Sequence, residues 1–159
     1  MFPDSQINQA TALLNAYKSR GLKLVTAESC TGGLISALLT EISGSSDVFE
    51  CGFVTYSNES KIKLLEVDEK LIEQHGAVSE QVASAMAQGA IAKTGADVAV
   101  AVTGIAGPSG GTTEKPVGLV YIAVATKNKI TCVKNIFSGS RDDVRLQSVG
   151  KALEMLSDI

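Results

Sequence analysis

Three residues with hydroxyl or thiol side chains, Ser29, Cys30 and Thr31, stand between the apolar residues 22–27 and the pair Gly32-Gly33. The run that follows, Leu34-Ile35-Ser36-Ala37-Leu38-Leu39, has helical character. A strand, a tight turn and a helix start in that order leave backbone N–H groups without internal partners, beside the positive end of the helix dipole. Such a turn suits an anion or an oxyanion, and Ser29 on it is a candidate nucleophile. Ser and Thr also favour helix starts for hydrogen-bonding reasons alone. On this stretch by itself the plain N-cap is the better reading.

A serine nucleophile needs a neighbour that takes its proton. Ser29 lies between Ala27 and Thr31, not two glycines, so the nucleophile elbow of hydrolases is absent. Gly32 stands where an S-x-x-K arrangement needs lysine. The single histidine, His75, precedes Gly76 and reads as a helix-end residue. Lysine is the better base, because burial lowers its pKa from about 10.4 toward about 7–8. Lys61 is the candidate, one helical turn into the element after Tyr56-Ser57-Asn58, and Tyr56 could relay a proton or orient the amine. Taken singly, a solvated helix lysine and a half-buried strand aromatic remain the better readings of these two.

The elements that must bring such residues together follow from the pattern of the chain. Asp4 or Ser5 is expected to cap a first helix with Ile7, Ala10, Leu14 and Tyr17 inward, stopped by Gly21. Residues 22–27 read as a buried strand, 31–42 as a helix, and 49–56 as a strand with Phe49, Cys51 and Phe53 on one face. A helix carrying Lys61 follows, then a short one over residues 68–74 and a long one opening at Ser79. Residues 96–103 are almost wholly apolar, as expected of a central strand covered on both faces. They lead into the glycine-dense loop 104–111, which fits neither a Walker A loop nor G-x-G-x-x-G. Residues 117–126 and 130–137 read as a β-hairpin, and Ser140 caps a last helix. The predicted class is therefore α/β: a three-layer α/β/α sandwich with a mixed, mostly parallel sheet, a C-terminal hairpin and a closing helix. Parallel strands at 22–27 and 96–103 would set the Ser29 turn and the loop 104–111 on one sheet edge, where ligands bind in such folds.

The bulk numbers fit one domain. The 159 residues are 45% apolar and 19% charged, with 15 glycines and no tryptophan, which excludes disorder. A net charge of −3 gives no broad electrostatic footprint for nucleic acid or an anionic membrane, so phosphate binding must be local. Cys30, Cys51 and Cys132 are odd in number and scattered, which fits reduced thiols, and one histidine without C-x-x-C offers no structural zinc site. Neither a signal peptide nor a bilayer-length apolar stretch is visible, so the expected address is the cytoplasm. No cofactor is expected, and the oligomeric state, a homo-oligomer included, stays open.

Over nearly its whole length the chain resembles the CinA C-terminal domain family, whose stand-alone members are nicotinamide mononucleotide deamidases. The matching segments are Ala27-Glu28-Ser29-Cys30-Thr31-Gly32-Gly33, Val54-Thr55-Tyr56-Ser57-Asn58-Glu59 through Lys61, and His75-Gly76-Ala77-Val78-Ser79. Thr103-Gly104-Ile105-Ala106-Gly107-Pro108, Lys115-Pro116-Val117-Gly118, and Phe137-Ser138-Gly139 with Arg141 and Arg145 complete the set. The resemblance implies hydrolysis of the carboxamide of nicotinamide mononucleotide to nicotinic acid mononucleotide and ammonia, a step in pyridine nucleotide recycling. It also implies a site of Ser29, Lys61 and Tyr56, with oxyanion donors near Cys30 and Thr31 and with Gly32 among the substrate-binding residues. Thr103, Gly104, Gly107 and Gly111 are then expected to approach the nucleotide, and Arg141 or Arg145 its phosphate. Arginine in the first turn of a helix opposes the dipole, which favours a functional role over surface charge. The chain begins just ahead of this domain, so the N-terminal nucleotide-processing domain of full-length CinA proteins, and its pyrophosphatase activity, are not expected. A non-catalytic pyridine-nucleotide-binding regulatory module, or hydrolysis of another small amide, are the alternatives.

Overall fold

Two strands made almost entirely of small and branched apolar residues form the centre of the molecule. β1 (Leu24–Glu28) and β3 (Val98–Gly104) pair in parallel, and β1 is buried at every position. The computed structural model describes residues 1–159. In chain order the other elements are α1 (Asp4–Ser19), α2 (Leu34–Glu41), a single 3-10 turn (Ser45–Asp47), β2 (Phe49–Val54), α3 (Asn58–Leu65), α4 (Glu69–His75), α5 (Glu80–Thr94), β4 (Leu119–Thr126), β5 (Ile130–Ile136) and α6 (Arg141–Ser157).

The sheet runs β2-β1-β3-β4-β5. β2, β1 and β3 are parallel, and β4 is antiparallel to both β3 and β5, so four of the five strands point one way. Two apolar clusters flank it. α1, α2 and α6 pack on one face around Leu14, Ile35, Leu38 and Leu153, and α3, α4 and α5 on the other around Leu65, Ile72, Val82 and Met86. The architecture is the expected α/β/α sandwich with a mixed sheet. No helix is long and apolar enough to cross a membrane.

Register positions the site. Glu28 at the end of β1 is opposite Val54 of β2 and Val102 of β3. The residues after these, Ser29, Thr55 and Thr103, therefore emerge side by side on one sheet edge. The Ser29 N–H donates to the Val102 carbonyl and the Thr55 N–H to the Glu28 carbonyl, each at 2.9 Å.

Several boundaries differ from expectation for local reasons. α1 is preceded by Pro3, and no side chain caps it, so neither Asp4 nor Ser5 is the N-cap. α2 opens at Leu34, not Thr31, because Gly33 precedes it at φ 96°, a left-handed conformation suited to glycine. Ser29 is not the N-cap of that helix. β2 ends at Val54, and β4 begins at Leu119. The caps expected at Ser79 and Ser140 are present, the latter as a capping box with Asp143.

Candidate active site

The site is assembled from that edge outward. A cleft of about 330 Å³ is lined by Ser29 and Cys30 after β1, Tyr56, Asn58 and Lys61 from the β2–α3 segment, Ala77 and Val78 ahead of α5, the loop after β3, and Arg141 of α6.

Ser57 caps α3 by accepting from the Ser60 N–H at 3.1 Å. The helix then turns Lys61 inward, and its side chain is only 1% exposed. Its Nζ lies 3.1 Å from Ser29 Oγ, 2.7 Å from the Thr55 carbonyl oxygen and 3.4 Å from that of Tyr56. Burial lowers the Lys61 pKa from 10.5 to about 8, only partly opposed by Cys30. A neutral amine has two protons and one lone pair. The two carbonyls can take the protons, which leaves the lone pair for the Ser29 hydroxyl. This geometry fits a serine and its base.

Tyr56 meets Lys61 through its backbone rather than its phenol. The ring is 62% exposed, and its hydroxyl accepts from Arg141 at 3.1 Å. Arg141 also donates to the Gly107 carbonyl at 2.7 Å, bridging α6, the β2–α3 segment and the loop after β3 at the cleft's mouth.

The turn bearing Ser29 is held from two sides. On one, Arg145 Nε donates to the Cys30 carbonyl at 3.2 Å, and its second terminal nitrogen to the Thr31 carbonyl at 3.1 Å. A trans peptide points its C=O and N–H in opposite directions. Tying the Cys30 carbonyl to α6 therefore turns the Thr31 N–H away from α6. The Gly32 N–H donates to the Ser29 carbonyl at 3.0 Å, which turns the Cys30 N–H outward in the same way. Neither the Cys30 nor the Thr31 N–H donates to a backbone carbonyl. On the other side, the carboxylate of Glu28, wholly buried, accepts from Thr31, Gly33, Ile35 and Ser36.

The residues singled out in the sequence thus divide. Ser29, Cys30, Tyr56, Lys61, Thr103, Gly104, Gly107 and Arg141 all line the cleft. Thr103 also fixes its wall, donating to the Ala77 carbonyl at 2.9 Å. Thr31, Gly32, Gly111 and Arg145 do not line it. Thr31 Oγ1 donates to Glu28 at 2.7 Å, and Gly111 sits against the Val117 backbone inside its own loop. Asn58, Ala77, Val78 and Ile105 line the cleft although the pattern gave no separate reason to choose them. Cys30 is buried, and desolvation pushes its thiol up to about 11, so it is held as a neutral thiol beside Ser29. No cluster of His, Cys, Asp or Glu side chains is placed to hold a metal ion.

The relationships of the chain place it in a known family. Residues 6–159 match the model of the CinA C-terminal domain. The chain belongs to that family. It is 49% identical over 155 residues to the nicotinamide-nucleotide amidohydrolase PncC of Escherichia coli K12, covering 96% of this chain and 94% of that protein. A competence-damage inducible protein of Caldicellulosiruptor bescii is 52% identical over 144 residues, 91% of this chain but 35% of its own length. The chain thus spans about a third of that longer CinA-family relative. In three dimensions it is similar to the crystal structure of the competence/damage inducible protein CihA from Agrobacterium tumefaciens, with a TM-score of 0.97 at 46% identity, covering 99% and 97% of the two chains. A CinA-superfamily structure from Escherichia coli superposes with a TM-score of 0.93 at 36% identity, covering 99% of this chain and 92% of that one.

Proposed function

We infer that this CinA-family domain hydrolyses the carboxamide of nicotinamide mononucleotide, giving nicotinic acid mononucleotide and ammonia. The observation that carries the chemistry is the buried Lys61 amine, 3.1 Å from Ser29 Oγ with two carbonyls available for its protons. The nucleotide comes from the likeness to PncC, a nicotinamide-nucleotide amidohydrolase similar to this chain almost end to end.

In this reading Ser29 Oγ attacks the amide carbon while its proton passes to Lys61 Nζ. The carbonyl oxygen becomes an oxyanion, received by the backbone N–H of Cys30 at the cleft. A donor of this kind contributes about 3–4 kcal/mol to the transition state in other enzymes. The tetrahedral intermediate collapses, the C–N bond breaks, and Lys61 returns the proton to the departing nitrogen as ammonia leaves. Water then attacks the acyl-serine ester, with Lys61 again taking a proton. The nucleotide acid departs and the Ser29 hydroxyl is regenerated. One water is consumed for each ammonia released.

Arg141 is the candidate for the 5′-phosphate. Its guanidinium faces the cleft and has five N–H donors, of which two are engaged with Gly107 and Tyr56. Arg145 is directed at the nucleophile turn, so its contribution is to hold that turn in place. The Tyr56 phenol, held by Arg141 at the mouth, assists from the substrate side. Thr103, Gly104 and Gly107 present the adjoining wall.

The test is ammonia release and formation of the acid nucleotide on incubation with nicotinamide mononucleotide, with Ser29→Ala beside the wild type. The expected result is turnover by the wild type and loss of at least about 1,000-fold in the variant, while nucleotide binding persists. Equal background release from two proteins that both bind the nucleotide would make this a binding module instead.

A further inference from the structure

An acidic residue at the end of a fully buried strand is unusual, and Glu28 has 0% exposure. Its carboxylate is completely supplied with donors. Oε2 accepts from Thr31 Oγ1 at 2.7 Å, the Gly33 N–H at 3.1 Å and the Ile35 N–H at 3.0 Å. Oε1 accepts from the Ser36 N–H at 2.9 Å and Ser36 Oγ at 2.8 Å. With Ser36 Oγ donating to Glu28, its contact with Thr26 Oγ1 at 2.7 Å is one in which threonine donates. A Cβ on residue 52 of the neighbouring strand would overlap Ser36 Oγ, so glycine at that position leaves room for the chain of hydroxyls.

The first N–H groups of a helix are its anion-binding end. In α2 that end is occupied by the protein's own carboxylate, from the residue directly before the nucleophile. Backbone N–H groups donate to both oxygens, those of Gly33 and Ile35 to Oε2 and that of Ser36 to Oε1, so an amide in place of the carboxyl would turn a hydrogen toward another hydrogen. The same carboxylate ties β1, the 29–33 turn and the first turn of α2 into one unit. The Thr31 hydroxyl is the link that reaches the turn itself.

We propose that Glu28 is a positioning residue for the hydrolytic reaction: its buried carboxylate, seated on the start of α2, fixes the turn so that Ser29 Oγ meets Lys61 with Cys30 beside it at the cleft. This role rests on the serine-nucleophile reading, though not on the identity of the substrate. Glu28 touches no reacting atom. It acts through the placement of those that do, so its loss lowers kcat and leaves substrate affinity in place. A misplacement of about 1 Å reduces rate by about 100-fold.

The experiment compares Glu28→Gln and Thr31→Val with the wild type in two assays. One measures kcat and KM for release of ammonia from nicotinamide mononucleotide. The other measures the rate at which a fluorophosphonate labels Ser29, which needs no nucleotide. Circular dichroism and thermal unfolding establish that each variant is folded. For Glu28→Gln the expected result is a fall of about 100-fold in kcat with KM within about threefold, and labelling slowed in the same proportion. For Thr31→Val, which removes one tether and retains the shape, about tenfold is expected in both. If Glu28→Gln does not fold, Thr31→Val decides. Wild-type kcat and labelling in a folded Glu28→Gln, or in Thr31→Val, overturn the inference. So does a rise in KM at constant kcat. If wild type releases no ammonia from the nucleotide but labelling still slows in both variants, the substrate assignment fails and the positioning role stands.

Discussion

Gly89 of α5 lies so close to the carbonyl of Leu65, the last residue of α3, that a Cβ on residue 89 would overlap the Leu65 oxygen. This contact sets the depth at which α3 docks on α5. Because α3 carries Lys61, it also sets how far the amine reaches toward Ser29. Gly89→Ala is expected to push α3 outward, destabilising the fold by about 1–3 kcal/mol as overpacking does. Turnover should fall more than KM changes. Urea unfolding and steady-state kinetics check this, and unaltered values for both would mean that α3 docks independently of residue 89.

The lowered pKa of Lys61 fixes the direction of the pH profile. A base must be neutral to accept the Ser29 proton, so kcat/KM should climb through pH about 8 and level off above it. A rate profile between pH 6 and 10 is the check. Lys61→Met should lose the activity across the whole range. A flat wild-type profile, or an active Lys61→Met, would remove the amine from the base role.

Stability should depend on pH through the same residue. Below pH about 8 both the native and the unfolded chain carry the Lys61 proton, and stability has no slope from this group. Between about 8 and the ordinary lysine value of 10.5 only the unfolded chain keeps it, so stability rises with pH. The full rise from a shift of this size is about 3 kcal/mol. Denaturant unfolding at pH 7 and pH 10 should show most of this increment in the wild type and not in Lys61→Met.

Arg141 should govern discrimination for a phosphate. Arg141→Ala is expected to raise KM for nicotinamide mononucleotide by about tenfold or more, and to leave the corresponding nucleoside, which lacks the phosphate, little affected. Arg141→Lys should restore only part of the affinity, since a point charge replaces a planar fork. Equal losses on nucleotide and nucleoside would assign Arg141 to holding Tyr56 and Gly107 instead.

Much of the fold was legible because it is written in local patterns. The unbroken apolar stretch of β3, the alternation in β2 and the capping residues Ser57, Ser79 and Ser140 each report on a few neighbouring positions. The meeting of the Ser29 turn with the loop after β3 followed from the parallel pairing of β1 with β3. Lys61 stands out as a candidate base only through the family resemblance, because nothing in the α3 pattern distinguishes a lysine directed inward from one in water. Its amine is held by Ser29, more than thirty residues earlier, and by the Thr55 carbonyl.

Glu28 was missed as a positioning group, although an acid closing an apolar strand, just before a run of free helix N–H groups, was a usable signal. The start of α2 was misplaced by three residues for the same reason. Its cap comes from upstream, not from the Ser-Cys-Thr turn that resembles one. The orientation of Arg145 was invisible to any local reading, because it is set by how α6 packs beside the turn.

The seat beneath the Ser29 turn and the clamp beside it come from different parts of the chain. Every donor to the Glu28 side chain comes from residues 31–36, so that part can close as soon as β1 and α2 exist. The clamp comes from Arg145, more than a hundred residues downstream on the last helix. The Ser29 turn is thus braced at once by its immediate neighbours and by the far end of the chain.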